Sequence, residues 1–156
     1  MMPVFFIAGL EGQSYDGLIK ALSENDIDLV IDIRLKSDEG RLKEALIKFN
    51  ALNKSHIGYQ WLKVFGNPFY DSEDAFRTIE AYNIYLKGMD KELDELYYQL
   101  MKHRCCLVDD VEEPIMPHRV ALAEALKKKY GVEYADLTAV KKIVEKYGLQ
   151  EENISP

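Results

Sequence analysis

Five short strand-like runs alternate along the chain with longer segments of helical periodicity. The runs cover residues 4–8, 27–33, 55–59, 105–108 and 132–136. Helical patterns cover 14–25, 38–53, 72–102, 117–130 and the segment after Thr138, and a break near Gly88 divides the third pattern into two helices. Because parallel strands need crossover connections, this alternation predicts a single-domain α/β three-layer sandwich with a mostly parallel sheet of about five strands flanked by helices.

The length of 156 residues suits one domain, which we place at residues 1–147, with 148–156 as a short C-terminal tail. Hydrophobic residues at 47% and charged residues at 30% are typical of a globular chain and exclude a disordered one. No apolar run approaches the roughly 20 residues that a membrane-spanning helix needs, and the first residues lack the basic segment of a signal peptide. We therefore expect a cytoplasmic protein without a membrane partner.

The two cysteines are adjacent in the chain, at Cys105 and Cys106. Neighbouring side chains on a strand point to opposite faces, so reduced core thiols are predicted in place of a disulfide. The net charge of −7 repels phosphates and argues against duplex nucleic acid as a partner, although a local basic pocket remains possible. The sequence leaves the oligomeric state open.

Charged residues follow the predicted strands at the point where each strand ends. Asp32 and Arg34 close the second run, and Asp109 and Asp110 close the fourth. The carboxyl ends of parallel strands meet at one edge of a sheet, where α/β proteins bind ligands. We expect these side chains to converge there with Gly9 and the aromatic loop after Tyr59.

The run from Arg104 to Arg119 combines a buried strand, an acidic loop and a helix start. Pro117 suits the first position of a helix, which puts His118 and Arg119 in its first turn beside free backbone N–H groups. The helix dipole, the free backbone N–H groups and the Arg119 guanidinium together favour binding of a phosphate or a carboxylate. The alternative is that Arg119 pairs with a nearby carboxylate and that His118 is a surface residue.

Asp32 and Arg34 are two apart on a strand, so their side chains share a face. Asp32 could orient Arg34 or act as a base, and an ordinary ion pair at a strand end is the alternative. The acidic cluster offers oxygen ligands for magnesium or manganese, with His118 as a further donor: Asp109, Asp110, Glu112 and Glu113. No metal-ligand spacing recurs, so a solvated acidic loop is favoured, and we predict neither a metal nor a cofactor.

Aromatic residues concentrate in the irregular segment 58–70 and in the helical pattern that follows. They could stack a base or line a pocket, or belong to the core: Tyr59, Trp61, Phe65, Phe69, Tyr70, Tyr82 and Tyr85. A P-loop spacing is lacking, the turn after the first strand is too weak for a dinucleotide fingerprint, and the residues after Cys106 exclude Cys-x5-Arg chemistry.

Taken together, these motifs resemble the family catalogued as domain of unknown function 488, whose members are small α/β proteins without an agreed activity. The likeness spans nearly the whole chain, from IAGLEGQSYDGLIKAL to GVEYADL. Asp32-Ile33-Arg34 resembles the family's Asp-Val-Arg, and His118-Arg119 resembles the end of its Cys-His-Arg. Tyr59, Leu62 and Gly66 resemble its Tyr-x-x-Leu and glycine loop. The resemblance implies a shared fold and a retained Asp/Arg/Tyr/His/Arg pocket.

Three departures from that family pattern limit the chemistry. Gly9-Leu10-Glu11 stands where members carry Gly-His-Ser, and Val108-Asp109-Asp110 stands where they carry Cys-x-Glu. Pro117 replaces the cysteine before His-Arg. A mechanism that needs that cysteine pair, as nucleophile, redox couple or metal clamp, cannot operate in this chain.

The leading hypothesis is a protein that binds a small anionic or nucleotide-like ligand at the strand C-terminal edge, as a hydrolase, a transferase or a relic of one. In it Arg34 and Arg119 hold the anion, His118 or Asp110 acts as acid or base, and Asp32 orients. Tyr59 and Trp61 are the further candidate ligand contacts. The alternative is a non-catalytic module that binds single-stranded nucleic acid or a protein partner.

Overall fold

The computed structural model describes residues 2–10, 15–36, 38–69, 75–110 and 117–138. Five strands run through it: β1 (Phe5–Leu10), β2 (Leu29–Asp32), β3 (Gly58–Trp61), β4 (Cys105–Asp110) and β5 (Tyr134–Asp136). The described helices are α1 (Asp16–Glu24), α2 (Arg41–Asn53), α3 (Ala75–Lys87), α4 (Asp90–Lys102) and α5 (His118–Tyr130), with a 3-10 turn at Lys63–Phe65.

The strands form one fully parallel sheet in the order β3-β2-β4-β1-β5. In the centre of the sheet, Ile31 of β2 and Ile7 of β1 both lie beside Leu107 of β4. The connections after β1 and β2 pass over one face, and those after β3 and β4 pass over the other. The connection after β4 therefore passes over the face opposite to the connections after its neighbours β2 and β1, which makes the carboxyl end of β4 a topological switch point.

Each face of the sheet packs on its own set of helices. Alternate strand residues, such as Phe5 and Ile7, contact α3, α4 and α5, whereas Phe6 and Ala8 contact α1 and α2. Strict alternation of buried side chains along β1 and β4 produces the two apolar layers. The three-layer α/β sandwich with a mostly parallel five-stranded sheet is confirmed.

Cys105 and Cys106 belong to opposite apolar layers and are both free and buried, as predicted. Gly131 ends α5, since its φ of 69° is the left-handed conformation that glycine adopts most readily, and its N–H donates to Lys127 O. Within the described residues, no helix is long and apolar enough to cross a membrane.

Several strand and helix boundaries differ from the sequence-based expectation: β2 and β5 are shorter than the runs 27–33 and 132–136, and β4 is longer than the run 105–108. The third strand begins at Gly58 and not at Ser55, and β1 continues to Leu10. The second helix begins at Arg41 and not at Asp38, because Glu39 and Gly40 have left-handed φ angles of 62° and 80°, which end the helical conformation. The Asp38 carboxylate still accepts a hydrogen bond from Leu42 N in the first turn, at 3.0 Å. Ser14, with which the first helical pattern begins, lies outside the described residues, and so do the predicted last helix and the tail from residue 148.

Candidate functional site

The carboxyl ends of β2 and β4 bring the charged residues together at the switch point. Asp32 ends β2, Asp109 and Asp110 end β4, and His118 and Arg119 open α5 directly above them. All of these except Asp110 are buried, although charged side chains rarely are. Their burial requires partners, and two hydrogen-bonded clusters supply them.

The first cluster is built on a two-point contact between Asp32 and Arg34. Arg34 donates from Nε to Oδ1 of Asp32 at 2.9 Å and from Nη2 to Oδ2 at 2.7 Å. The Arg34 backbone N–H also donates to Oδ1, at 3.1 Å. Five donors in a rigid plane make such a contact more directional than a lysine pair. The guanidinium is therefore fixed in position.

Asp38 and Tyr15 extend this cluster from the side of α2 and α1. Nη2 of Arg34 lies 3.0 Å from Oδ2 of Asp38, which also accepts from the Tyr15 hydroxyl at 2.7 Å. Oδ1 of Asp38 is buried, and no described residue donates a hydrogen bond to it. Burial lowers the pKa of Arg34, but hydrogen bonds and charge attraction to Asp32 and Asp38 more than offset this and raise it. Arg34 therefore carries its charge at every accessible pH.

Tyr59 and Trp61 of β3 support Asp32 and Arg34 through their polar atoms. The Tyr59 hydroxyl donates to Oδ2 of Asp32 at 2.7 Å, and Trp61 Nε1 donates to the Arg34 carbonyl oxygen at 2.8 Å. Burial, together with the Asp32 hydrogen bond, raises the pKa of Tyr59. Tyr59 therefore remains a neutral donor to Asp32.

His118 lies between the two clusters. Its Nε2 is 2.7 Å from the Ile33 carbonyl oxygen, which can only accept, so Nε2 carries a hydrogen. Its Nδ1 lies 3.4 Å from Oδ2 of Asp109, and the ring packs edge-on against Tyr82. The alternative of a surface histidine is wrong, because His118 is 8% exposed.

The second cluster surrounds Arg119. The Arg119 backbone N–H and Nη1 donate to the two oxygens of Asp109, at 3.0 and 2.8 Å. Nη2 reaches Asp136 at 3.3 Å and Thr138 at 3.4 Å, and Thr138 Oγ1 accepts from Gly9 N. Burial raises the pKa of Asp109, against the opposing charges of His118 and Arg119. The alternative that Arg119 pairs with a nearby carboxylate is therefore confirmed, with Asp109 as that carboxylate. The contacts of this cluster connect β4, α5 and β5.

A pocket of about 90 Å³ opens beside the first cluster. It is lined by Arg34, Leu35, Lys36, Asn67, Pro68, Asp110 and His118. Asp110 is half exposed, and its Oδ1 lies 3.7 Å from Nη1 of Arg34, which is longer than a hydrogen bond. Burial and the charge of Asp32 raise the pKa of Asp110, while Arg34 and His118 lower it less.

Close packing at Gly66 forms one side of this pocket. A Cβ at Gly66 would lie 2.5 Å from Cα of Leu35 and 2.7 Å from its backbone nitrogen. Only glycine allows the segment after β3 to approach the segment after β2 this closely. The buried Asn67 and the turn at Pro68 are thereby held beside Arg34.

Three of the seven predicted site residues line the pocket, namely Arg34, Asp110 and His118. Asp32, Tyr59 and Trp61 lie behind Arg34, and Arg119 lies in the second cluster. Contact of these four with a ligand stays a prediction, and the hydrogen bonds of Arg119 favour a role as the counter-charge of Asp109.

The sequence-based prediction missed the lining residues Leu35 and Lys36, and it included Asn67 and Pro68 only as part of the loop expected at this edge, not as site residues. It also missed the partners of the two arginines: Tyr15, Asp38, Asp136 and Thr138. The Gly66-Asn67-Pro68 turn was a usable signal, since glycine beside a polar residue and proline marks a tight approach.

No metal-binding group of histidine, cysteine or carboxylate residues occurs in the described parts of the chain. Glu112 and Glu113 of the acidic loop lie outside those parts. Within the first cluster a guanidinium already occupies the position between the carboxylates of Asp32 and Asp38.

Comparison with curated proteins and with solved structures gave no match. A family model does match, over residues 14–126, and its description is "Domain of unknown function DUF488". That span includes both ends of the pocket, from Arg34 to His118, and leaves out β1 and β5. The match covers most of the chain, and the protein therefore belongs to the DUF488 family.

Proposed function

We propose that the protein binds a small anionic or nucleotide-like ligand in the pocket beside Arg34, and that it acts on this ligand as a hydrolase or transferase. The observation that carries the proposal is the state of the Arg34 guanidinium. Its Nε and Nη2 are held by Asp32 and Asp38, whereas Nη1 makes no hydrogen bond to another described residue. A fixed guanidinium with open N–H groups favours phosphate or carboxylate.

The size of the pocket restricts which part of a ligand it can hold. The pocket has a volume of about 90 Å³, below the range typical of sites for whole organic ligands, so it suits the anionic group of a ligand better than a complete nucleotide. A nucleotide would place its phosphate beside Arg34 and leave its base outside. Lys36 is exposed at the rim and forms no ion pair with a described residue, so its charge is available to the anion.

Asp110 is the proposed acid or base. It is the pocket carboxyl that is half exposed, and its raised pKa brings it closer to the range in which it can exchange a proton. Asp32 would orient Arg34, and His118 would hold the pocket wall against Ile33 O. Ionised Asp110 repels an anion, so ligand binding should strengthen as the pH falls and Asp110 becomes protonated.

Thermal unfolding with inorganic phosphate, sulfate and AMP tests the binding step, because a ligand of the native state raises the melting temperature. Lys36→Ala and Asn67→Ala should each weaken the affinity for phosphate about tenfold, which corresponds to a loss of roughly 1.4 kcal/mol of binding free energy. Lys43→Ala on exposed α2 is the matched control and should leave it unchanged. Absence of a response to all three probes, or the same response in Lys36→Ala as in Lys43→Ala, would exclude the proposal.

The catalytic step has a separate test. Phosphate release from nucleoside phosphates should fall about a hundredfold or more in Asp110→Asn, the usual contribution of an acid or base. Phosphate binding should be retained or strengthened in the same variant. Binding without turnover in the unsubstituted protein would support the non-catalytic binding module over the enzyme.

A cytoplasmic location is part of the proposal, supported by two free thiols in the two apolar layers of the fold. Cell fractionation checks it. Recovery of the protein in the secreted or membrane fraction would contradict it.

A further inference from the structure

We propose that the groove between the outer edge of β3 and α4 binds an extended, basic segment of a partner protein as an added strand of the sheet. This surface is separate from the Arg34 pocket and does not depend on the proposed function. Three features carry it: a strand edge that pairs with no other described strand, an apolar floor beside that edge, and acidic residues along the facing helix.

The outer edge of β3 has backbone groups that no described strand pairs with. In the sheet order β3 is terminal, and it pairs with β2 alone among the described strands. The N–H groups of Gly58 and Leu62 point toward β2 and donate to the carbonyl oxygens of Asp28 and Asp32, at 2.8 and 2.9 Å. Backbone groups alternate in direction along a strand, so those of Tyr59 and Trp61 point away from β2. An edge of this kind is a template for another strand.

A groove of about 470 Å³ lies between this edge and α4. One side of the groove is formed by Gln60 and Leu62 from the β3 segment. The other side is one face of α4, formed by residues at helical spacing: Glu92, Glu95, Leu96 and Gln99. Val64 and Tyr98 also line it and are 42% and 58% exposed. Large apolar side chains exposed together beside a free strand edge are typical of peptide-binding surfaces.

The charge of the groove identifies its occupant. The described residues that line it and carry a charge at neutral pH are all acidic: Glu92, Asp94 and Glu95. Asp94 already accepts from the Tyr130 hydroxyl, whereas Glu92 and Glu95 form no ion pair with a described residue. A lysine of an added strand can lay its methylene groups on Leu62 and Val64 and place its ammonium beside these carboxylates.

A second copy of the chain fits this groove less well than a basic partner. Each copy carries a net charge of −7, and pairing two β3 edges would bring Glu92 and Glu95 of both copies close together. Like charges across an interface oppose association. The edge is therefore better matched to a segment that alternates basic and apolar residues.

The probe is the peptide acetyl-Lys-Val-Lys-Val-Lys-Val-Lys-amide, added to the full-length protein. Fluorescence of Trp61, the single tryptophan, reports binding, and hydrogen exchange reports protection of the Tyr59 and Trp61 amides. Binding that weakens with salt, together with slower exchange at both amides, is the expected result. Two control peptides should not bind: the same sequence with glutamate for lysine, and the same sequence with N-methylated alternate amides, which cannot pair with a strand.

Charge reversal on α4 provides the variant test. Glu92→Lys combined with Glu95→Lys should weaken binding of the basic peptide about tenfold or more. Glu24→Lys combined with Glu44→Lys makes the same change of net charge on exposed positions of α1 and α2, and should change binding less than twofold.

Equal effects of the two double variants, equal binding of the N-methylated or acidic peptide, or no binding of the basic peptide at millimolar concentration would each overturn the proposal. A dimer in sedimentation that Trp61 fluorescence shows to occupy the β3 edge would overturn it too, in favour of a second copy.

Discussion

Arg34 contacts Asp32 at two points, with Nε donating to Oδ1 at 2.9 Å and Nη2 donating to Oδ2 at 2.7 Å, and both side chains are buried. The two residues are separated by one position at the end of β2, so the strand itself sets their geometry. Asp38, Tyr15 and Tyr59 then complete the contacts. The result is a rigid guanidinium at the switch point of the sheet.

Asp32→Asn should lower the free energy of unfolding by roughly 2–4 kcal/mol, because it removes one of the two carboxylates that balance the charge of buried Arg34. The remaining ion pair with Asp38 offsets only part of that loss. Urea denaturation measures this. Asp28→Asn, an exposed carboxylate just before β2, is the control and should cost less than about 1 kcal/mol. Equal midpoints for the two variants would mean that the pair contributes no stability.

Gly66→Ala should unfold the pocket side of the molecule, because the added Cβ would lie 2.5 Å from the Leu35 backbone. The backbone segments on the two sides of this contact follow β2 and β3 and cannot move independently of the sheet. We therefore expect the free energy of unfolding to fall by roughly 2 kcal/mol or more. Gly17→Ala is the matched control, since a Cβ there meets nothing within 4 Å and alanine in α1 should stabilise by about 0.5–1 kcal/mol. Thermal melts should therefore shift in opposite directions, and a neutral Gly66→Ala would contradict the close approach.

Arg119→Met should be among the most destabilising single substitutions, at roughly 3–5 kcal/mol, because it leaves the buried carboxylate of Asp109 without its cation. Lys127→Met on the same helix removes an exposed ion pair with Glu133 and should cost less than about 1 kcal/mol. Chemical denaturation compares them. If Arg119→Met were as stable as Lys127→Met, Arg119 would be free for the ligand role that its sequence position suggested.

The strands and the edge that holds the site could be predicted because both depend on local pattern and topology. Apolar runs such as 105–108 fixed the buried strands, and parallel pairing forces Asp32 and Asp110 to the same edge. The opposite faces of Cys105 and Cys106 follow from the same period of two. These inferences need no knowledge of how distant side chains pack.

The partners of the charged residues could not be predicted, because they depend on contacts between distant segments. Ile33 O meets His118 across 85 positions, and Thr138 meets Gly9 across 129. Asp38 stands in the sequence where an ordinary helix would begin. Its carboxylate nevertheless accepts hydrogen bonds from Leu42 N and the Tyr15 hydroxyl and forms an ion pair with Arg34. The start of β3 was placed too early because the sequence before Gly58 carries no clear turn signal.

Tyr59→Phe should cost about 1.5–3 kcal/mol at neutral pH, because it removes a hydrogen bond to a charged acceptor. The pKa of Tyr59 is raised in the folded protein, so its stabilisation is complete below the ordinary value near 10 and is lost as the pH rises above it. The decline of stability above about pH 10 should therefore be shallower in Tyr59→Phe. Urea midpoints between neutral and alkaline pH measure this, with exposed Tyr98→Phe as control; parallel profiles for Tyr59→Phe and the unsubstituted protein would contradict it.

Asp110→Asn should have the opposite sign from the other substitutions and stabilise the fold at pH 7. Burial raises the pKa of Asp110 above its ordinary value, so the folded state holds the proton more tightly than the unfolded state. The protonated carboxyl therefore stabilises the fold at a pH below the pKa of the unfolded chain. At a pH above the pKa of the folded protein, where the carboxyl is charged, this stabilisation is lost. Because the side chain is half exposed, solvent screening limits the gain at neutral pH to less than about 1 kcal/mol.

Paired urea titrations of Asp110→Asn and Asp28→Asn at neutral and acid pH measure this gain. The advantage of Asp110→Asn should disappear below about pH 4, where the native carboxyl is protonated too. A charged group kept at a pocket at the expense of stability is typical of a functional residue. If Asp110→Asn proved less stable than the unsubstituted protein at pH 7, Asp110 would be a stabilising partner of Arg34, and its assignment as the acid or base would lose its electrostatic support.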